Sequence, residues 1–424
     1  MNRREFVQKI KNEPILTIGS INYGRVMAIE LYLTSLLYYI KSMVESLLFS
    51  YKLVYSNNNA KVLLAYMALP NARKDHFLIF KHFKSILENK IEYDYIGFKR
   101  KFAPFLFLKK LLKYNFLLNN IKRLDITFYD KSRIGLALLK YIYAYEELNA
   151  IEFDRYTIGV TFCDAYKADN LVAQILNSYN IVTYTLQHGQ YRRIKNDLSA
   201  PENEVIYNFI SDYLLAWGEA TKKEFTECGI DESRIICAGS LLGDIYRSND
   251  YHYKPIKSGK FGVLLSADIN KKSNTSMLKL ANCIKKITGM DYIIRYHPRN
   301  KRSLYKKIID SNIQVSNGAL DEFYDNVEFL LLYMTGVFID ILQKRKLCFI
   351  YNDEYLEDAF KVEQLMIKDE KTLLDKYRMY INNPEHYNDV AKNLYKYYNN
   401  TQNIANNYLS AINNMKNNRR TYEE

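Results

Sequence analysis

The chain has 424 residues, 48% of them apolar and 25% charged, enough for two buried cores of about 200 residues each. With only 15 glycines, collagen-like and low-complexity readings are excluded. A formal charge of +13 favours phosphate-bearing partners such as nucleotides, anionic lipid or nucleic acid, although lysine-rich codon usage produces the same surplus. Five scattered cysteines without a CxxC pair, and six histidines without metal spacing, argue against a disulfide framework or zinc site. They predict a reducing, cytoplasmic setting with no metal and no cofactor.

The charged residues 1–14 lack an apolar core, so no leader is expected. Residues 15–21 read as a short strand. Residues 26–49 read as one long apolar helix, interrupted by Glu30, Lys41 and Glu45. Those charges argue against a membrane span, and burial within the first domain is expected. Residues 61–66 form a strand; 77–87 and 104–118 have helical apolar spacing with lysines on the other face. The run from Phe105 to Phe116 mixes aromatic, aliphatic and basic residues. It suits either an anionic membrane surface or a core helix with a basic solvent face, and the core helix is expected.

From residue 156 strands and helices alternate regularly. Strands are predicted at 156–162, 181–186, 213–217 and 235–238, with helices at 167–178 and 219–228 between them. A polar stretch at 245–258 reads as a linker. A second alternation follows, with strands at 261–266, 292–296, 327–332 and 347–351 and helices at 275–287 and 336–344. Such alternation predicts parallel sheets covered on both faces. The expected division is an N-terminal domain at 1–250, a second domain at 251–390 and a helical tail at 391–424.

Ligands of open α/β sheets bind beyond the carboxyl ends of the strands, so polar residues there are the candidates. Gln187-His188-Gly189 follows one such strand. An imidazole titrating near neutrality can deprotonate an acceptor hydroxyl, with Gln187 and Gly189 on the acceptor side; the competing reading is a satisfied loop histidine. Asp164, at another strand end, orients His188, binds the acceptor or caps a helix. Arg295, His297 and Arg299 surround Pro298 at the end of a strand in the second half, and their donors suit a phosphate or diphosphate. Thr335-Gly336 opens a helix, where hydroxyl and free N–H groups can hold an anion. Gly239-Ser240 is a weaker candidate for the donor side.

Taken in order, Gln187-His188-Gly189, Trp217-Gly218, Gly239-Ser240, His297-Pro298 and Thr335-Gly336-Val337 resemble the CDP-glycerol glycerophosphotransferases of teichoic acid synthesis and related capsule glycosyltransferases, including polysialyltransferases. The resemblance covers residues 156–352. It implies an α/β, GT-B fold of two Rossmann-like domains facing a central cleft, with His188 as general base and His297 and Thr335 on donor phosphate. Thr335-Gly336 stands where a Ser/Thr pair is common, and the acidic motif of the polysialyltransferases is absent, which disfavours a sialyl donor. The expected activity is transfer of a sugar from a nucleotide-activated donor to a lipid-linked or polymeric saccharide acceptor, peripherally at the inner face of the cell membrane. The alternatives are transfer of a polyol phosphate, a non-catalytic scaffold, and a nucleic-acid-binding protein. The last is not expected, because the basic residues fall on helix faces and are not interleaved with aromatics on a sheet.

Overall fold

The computed structural model describes residues 2–67, 74–194, 201–245, 251–298, 300–309 and 312–420, with backbone alone at 74 and 414–420. The chain forms two compact units, Met1–Ile245 with Asn400–Glu424, and Tyr246–Asn399.

In the first unit a small antiparallel hairpin pairs β1 (Thr17–Ile18) with β2 (Ile21–Asn22), where one strand was expected. The main sheet comprises β3 (Phe49–Ser56), β4 (Val62–Ala65), β5 (Tyr93–Phe102), β6 (Ile158–Thr161), β7 (Val182–Leu186), β8 (Tyr213–Ala216) and β9 (Ile235–Cys237). Its order is β3-β5-β4-β6-β7-β8-β9, with only β3 antiparallel to its neighbour. Alternate residues of β4 enter separate cores: Leu63 and Ala65 on one face, Val62 and Leu64 on the other. That is the burial a parallel sheet covered by helices demands.

The second unit holds β10 (Lys260–Leu264), β11 (Asp291–Arg295), β12 (Gln314–Val315), β13 (Leu330–Leu332), β14 (Cys348–Tyr351) and β15 (Met366–Ile367). All are parallel, in the order β12-β11-β10-β13-β14-β15. Numbered within the unit this is 3-2-1-4-5-6, the doubly wound Rossmann order. Both units are therefore Rossmann-like.

Two expectations are corrected here. The long helix at 26–49 is two helices, Tyr23–Leu31 and Leu36–Leu48. Arg133 causes the break: its buried guanidinium donates to the carbonyls of Glu30, Leu31 and Leu33, closing the first helix. The Ser35 hydroxyl then accepts the Tyr38 N–H and caps the second. The tail is likewise not a separate element. The Pro384–Tyr398 helix belongs to the second unit, whereas the Ile404–Arg420 helix returns to the first. Asn400 fastens that return, its N–H donating to the Trp217 carbonyl at 2.7 Å and its amide to the Cys237 carbonyl at 2.8 Å. Gly239, at φ +100°, lies against it; a Cβ there would sit 2.4 Å from the Asn400 carbonyl, so only glycine fits.

Candidate active site

The order of the first sheet reverses between β4 and β6, and the crevice beyond such a reversal is where doubly wound sheets bind ligands. A cavity of about 340 Å³ lies there. Met67 after β4, Phe162 and Cys163 after β6, and His188 after β7 line it, as do side chains of helices 23–31, 36–48 and 128–148.

His188 is half-buried and held on several sides. Its Nδ1 is 2.8 Å from the Tyr191 hydroxyl. Burial, reinforced by Cys163 and Tyr166, pushes that hydroxyl well above its usual range, so Tyr191 stays neutral. Its proton has an acceptor in the Leu186 carbonyl at 3.4 Å. With Nδ1–H donating to Tyr191, Nε2 keeps the lone pair that a base requires; the opposite tautomer makes Nε2 a donor. The His76 ring meets His188 edge-on at 4.9 Å, and Phe162 and Tyr166 complete the aromatic wall. Gln187, expected on the acceptor side, is 1% exposed. Its amide oxygen accepts the Trp217 N–H at 2.6 Å and its amide nitrogen donates to the Gly189 carbonyl at 2.7 Å. The residue thus ties the ends of β7 and β8 together and aims the loop that carries His188.

Across the cavity lies a buried charge cluster. One oxygen of Glu30 accepts from Lys140 and from the Tyr141 hydroxyl, with the Lys167 ammonium at 3.9 Å. Burial opposes the charge on Glu30, yet Lys140 and Lys167 hold its carboxyl below the usual range. The other oxygen, Oε2, makes no hydrogen bond among the described residues. Asp169, in the first turn of the Lys167–Ser178 helix, accepts the Phe162 N–H at 3.2 Å. Burial outweighs its backbone bonds and raises its carboxyl to about 7. A carboxyl raised on folding stabilises the native state at low pH, and that contribution disappears as pH climbs through the folded value. The melting temperature is therefore expected to decline between about pH 4 and 7. Asp169→Asn should flatten this decline; a slope identical to wild type would reject the assignment. A carboxylate acceptor, ammonium donors and aromatic walls together suit a polyhydroxylated ligand such as a sugar or polyol.

In the second unit the strand order reverses between β10 and β13. The Ser266 hydroxyl bridges the two strand ends, donating to the Met334 carbonyl at 3.0 Å. His297 follows β11, is half-buried, and is set by Asn300, whose side-chain oxygen accepts the His297 N–H at 2.7 Å. Asp268 fixes Asn300 in turn: its carboxylate accepts from the Asn300 amide, the Tyr305 hydroxyl and the Lys301 N–H. Burial works against that carboxylate's charge, but these three bonds hold it below its usual range. One guanidinium nitrogen of Arg295 is committed to the Ser316 hydroxyl and the Gly318 carbonyl. Arg299 lies outside the described residues. Gly336 is exposed before a helix of seven residues, Val337–Gln343, and the Thr335 hydroxyl accepts the Val337 N–H at 3.4 Å. A smaller cavity of about 190 Å³, lined by Val327, Glu328 and Leu347, lies at the amino ends of β13 and β14, away from His297.

Two candidates play structural parts. Asp164 is buried and accepts the Ile210 and Ser211 N–H groups at 2.9 and 2.6 Å; the helix after it begins at Lys167, with Tyr166 and not Asp164 in the N-cap position. Ser240 is buried too, and its hydroxyl accepts the Gly243 N–H at the start of the Leu241–Ile245 helix. Conversely, His76, Glu30, Lys140, Lys167 and Asp169 line the cavity without having been singled out. The available signal was a charged residue inside an otherwise apolar helix, Glu30 in one and Lys140 in another; such residues are almost always paired when buried.

No protein-family signature matches the chain, and no curated protein matches it. Several solved structures are similar over most of its length. A complex of S. aureus MnaA with UDP matches at 10% identity, covering 84% of this chain and 97% of that one, with a TM-score of 0.49. UDP-GlcNAc 2-epimerase from Neisseria meningitidis, bound to UDP-GlcNAc, matches at 13% identity, covering 84% and 99%, with a TM-score of 0.48. The α,α-trehalose 6-phosphate synthase of Burkholderia multivorans matches at 8% identity, covering 85% and 97%, with a TM-score of 0.48. The assignment of two Rossmann-like units rests on strand order and register, independently of these likenesses.

Proposed function

We propose that the chain is a metal-independent GT-B-type glycosyltransferase that moves a sugar from a nucleotide-activated donor to a hydroxyl of a capsular polysaccharide acceptor. The observation that carries this reading is His188, held by Tyr191 and Gln187 at a strand end in the wall of a cavity with both carboxylate and ammonium groups. Acceptor activation belongs to the first unit. Nε2 of His188 takes the hydroxyl proton while the acceptor oxygen bonds the anomeric carbon and the bond from that carbon to the donor phosphate breaks. Donor recognition belongs to the second unit, through His297 with Arg295, Arg299 and the Thr335-Gly336 turn. Their donors take up the charge of the departing diphosphate. On this reading the reaction takes place at the inner face of the cell membrane.

A panel of CMP-, CDP-, UDP- and GDP-activated donors tests the reading by thermal shift. A donor at 100 times its dissociation constant should stabilise the protein by about 2.7 kcal/mol. No shift with any nucleotide, together with tight and salt-dependent RNA binding, would overturn it. The order of motifs, which resembles that of the CDP-glycerol glycerophosphotransferases, favours polyol-phosphate transfer as the second reading; stabilisation by a CDP-polyol alone would select it.

A further inference from the structure

We infer that the face built by helices Leu36–Leu48 and Phe107–Ile121 of the first unit docks on the headgroup layer of an anionic bilayer. Sequence periodicity assigned both segments to the core, and the structure leaves their apolar stripes in solvent. Leu36 is 68% and Leu37 78% exposed, with Ile40, Met43 and Val44 continuing along the same helix. Phe105, just before the second helix, and Leu108, Leu112 and Phe116 along it are 58–75% exposed. The spacing of three or four residues makes them one stripe.

Folding does not account for this stripe, because the second helix has another face for that purpose. Leu117 and Ile121 are buried, and the Tyr114 hydroxyl meets the Ser132 hydroxyl at 2.6 Å. The two helices pack on each other, joined by Lys110. Its stem is fully buried, and its ammonium donates to the Ser46 carbonyl at 3.1 Å and to the Phe49 carbonyl at the end of the first helix. The apolar residues therefore stand on a fixed platform. No described helix is long and apolar enough to cross a membrane, so this geometry is that of a surface-lying helix pair.

Charge selects the occupant. Residues 95–124 contain eight basic and no acidic residues. Lys99, Lys101, Lys109, Lys122 and Arg123 are exposed. A field of one sign interleaved with leucine and phenylalanine complements anionic lipid. It opposes a second copy of the chain, which would set this exposed basic field against another of the same sign.

The test is vesicle flotation of the full chain, independent of any catalytic reading. Wild-type protein should float with phosphatidylcholine vesicles containing phosphatidylglycerol, less so at high salt, and not with phosphatidylcholine alone. The combined variant Leu37→Glu, Leu112→Glu, Phe116→Glu changes only exposed positions and should keep its melting temperature. It should lose at least about tenfold in bound fraction. The variant Lys101→Glu, Lys109→Glu keeps the apolar stripe and should lose the preference for anionic vesicles. Absence of flotation with either vesicle, flotation unchanged in both variants, or a soluble wild-type dimer that the apolar variant dissociates would each overturn the inference.

Discussion

Replacing His188 with alanine is expected to lower turnover by about two to four orders of magnitude while leaving nucleotide affinity within about twofold of wild type. The ring is half-buried in a loop already fixed by Gln187 and Trp217, so its loss should not unfold the strand ends. The measurement is steady-state kinetics with the donor found by thermal shift, beside a nucleotide titration. Tyr191→Phe supplies the control for tautomer. It removes the hydroxyl at 2.8 Å from Nδ1 and should shift the acidic limb of the pH–rate profile without abolishing activity. Unchanged turnover in His188→Ala would remove the histidine from the chemistry and favour a scaffold role.

The second large effect concerns stability. Lys140→Met should destabilise the first unit by about 3–5 kcal/mol, because it leaves the Glu30 carboxylate buried without its nearest cation. Lys167 at 3.9 Å and the Tyr141 hydroxyl offset only part of the loss. Adding Glu30→Leu removes the stranded charge as well, and the double variant should recover most of the stability. Chemical denaturation of the two single variants and the double variant measures the coupling. A Lys140→Met protein as stable as wild type would show that Glu30 takes up a proton or a solvent path the geometry does not provide.

The four inner strands of the second sheet, β11, β10, β13 and β14, were legible in the sequence because they are buried on both faces, whereas the two-residue edge strands β12 and β15 were not. Segments such as Leu330–Leu332 and Cys348–Tyr351 are therefore continuous apolar runs bounded by polar turns. The edge of the first sheet was not. β3 follows a helix with no polar break, and β5 ends in the basic run Lys99-Arg100-Lys101, so neither stands out as a strand. The division of the candidate site follows the same logic. His188 sits at a strand end flanked by glycine, a pattern local enough to read. Glu30 and Lys140 are 110 positions apart and meet only when helices 23–31 and 128–148 pack. Separately, each looks like an interruption in an apolar helix. Gln187 was misplaced for the converse reason. A polar residue beside a candidate base looks ligand-facing, but the ends of two parallel strands leave N–H and C=O groups that need a partner, and its amide supplies one.

The return of the chain from Asn400 to the first sheet sets an order on biogenesis. During synthesis the ribosome releases residues 246–399 before the segment that seats against Gly239 and Trp217 has left the exit tunnel. The later-encoded unit can therefore reach its native state while the earlier one still lacks its closing helix, with Phe83 and Tyr184 waiting for Tyr408 and Ala411. A released fragment ending at residue 399 should consequently present a protease-sensitive first unit beside a resistant second one.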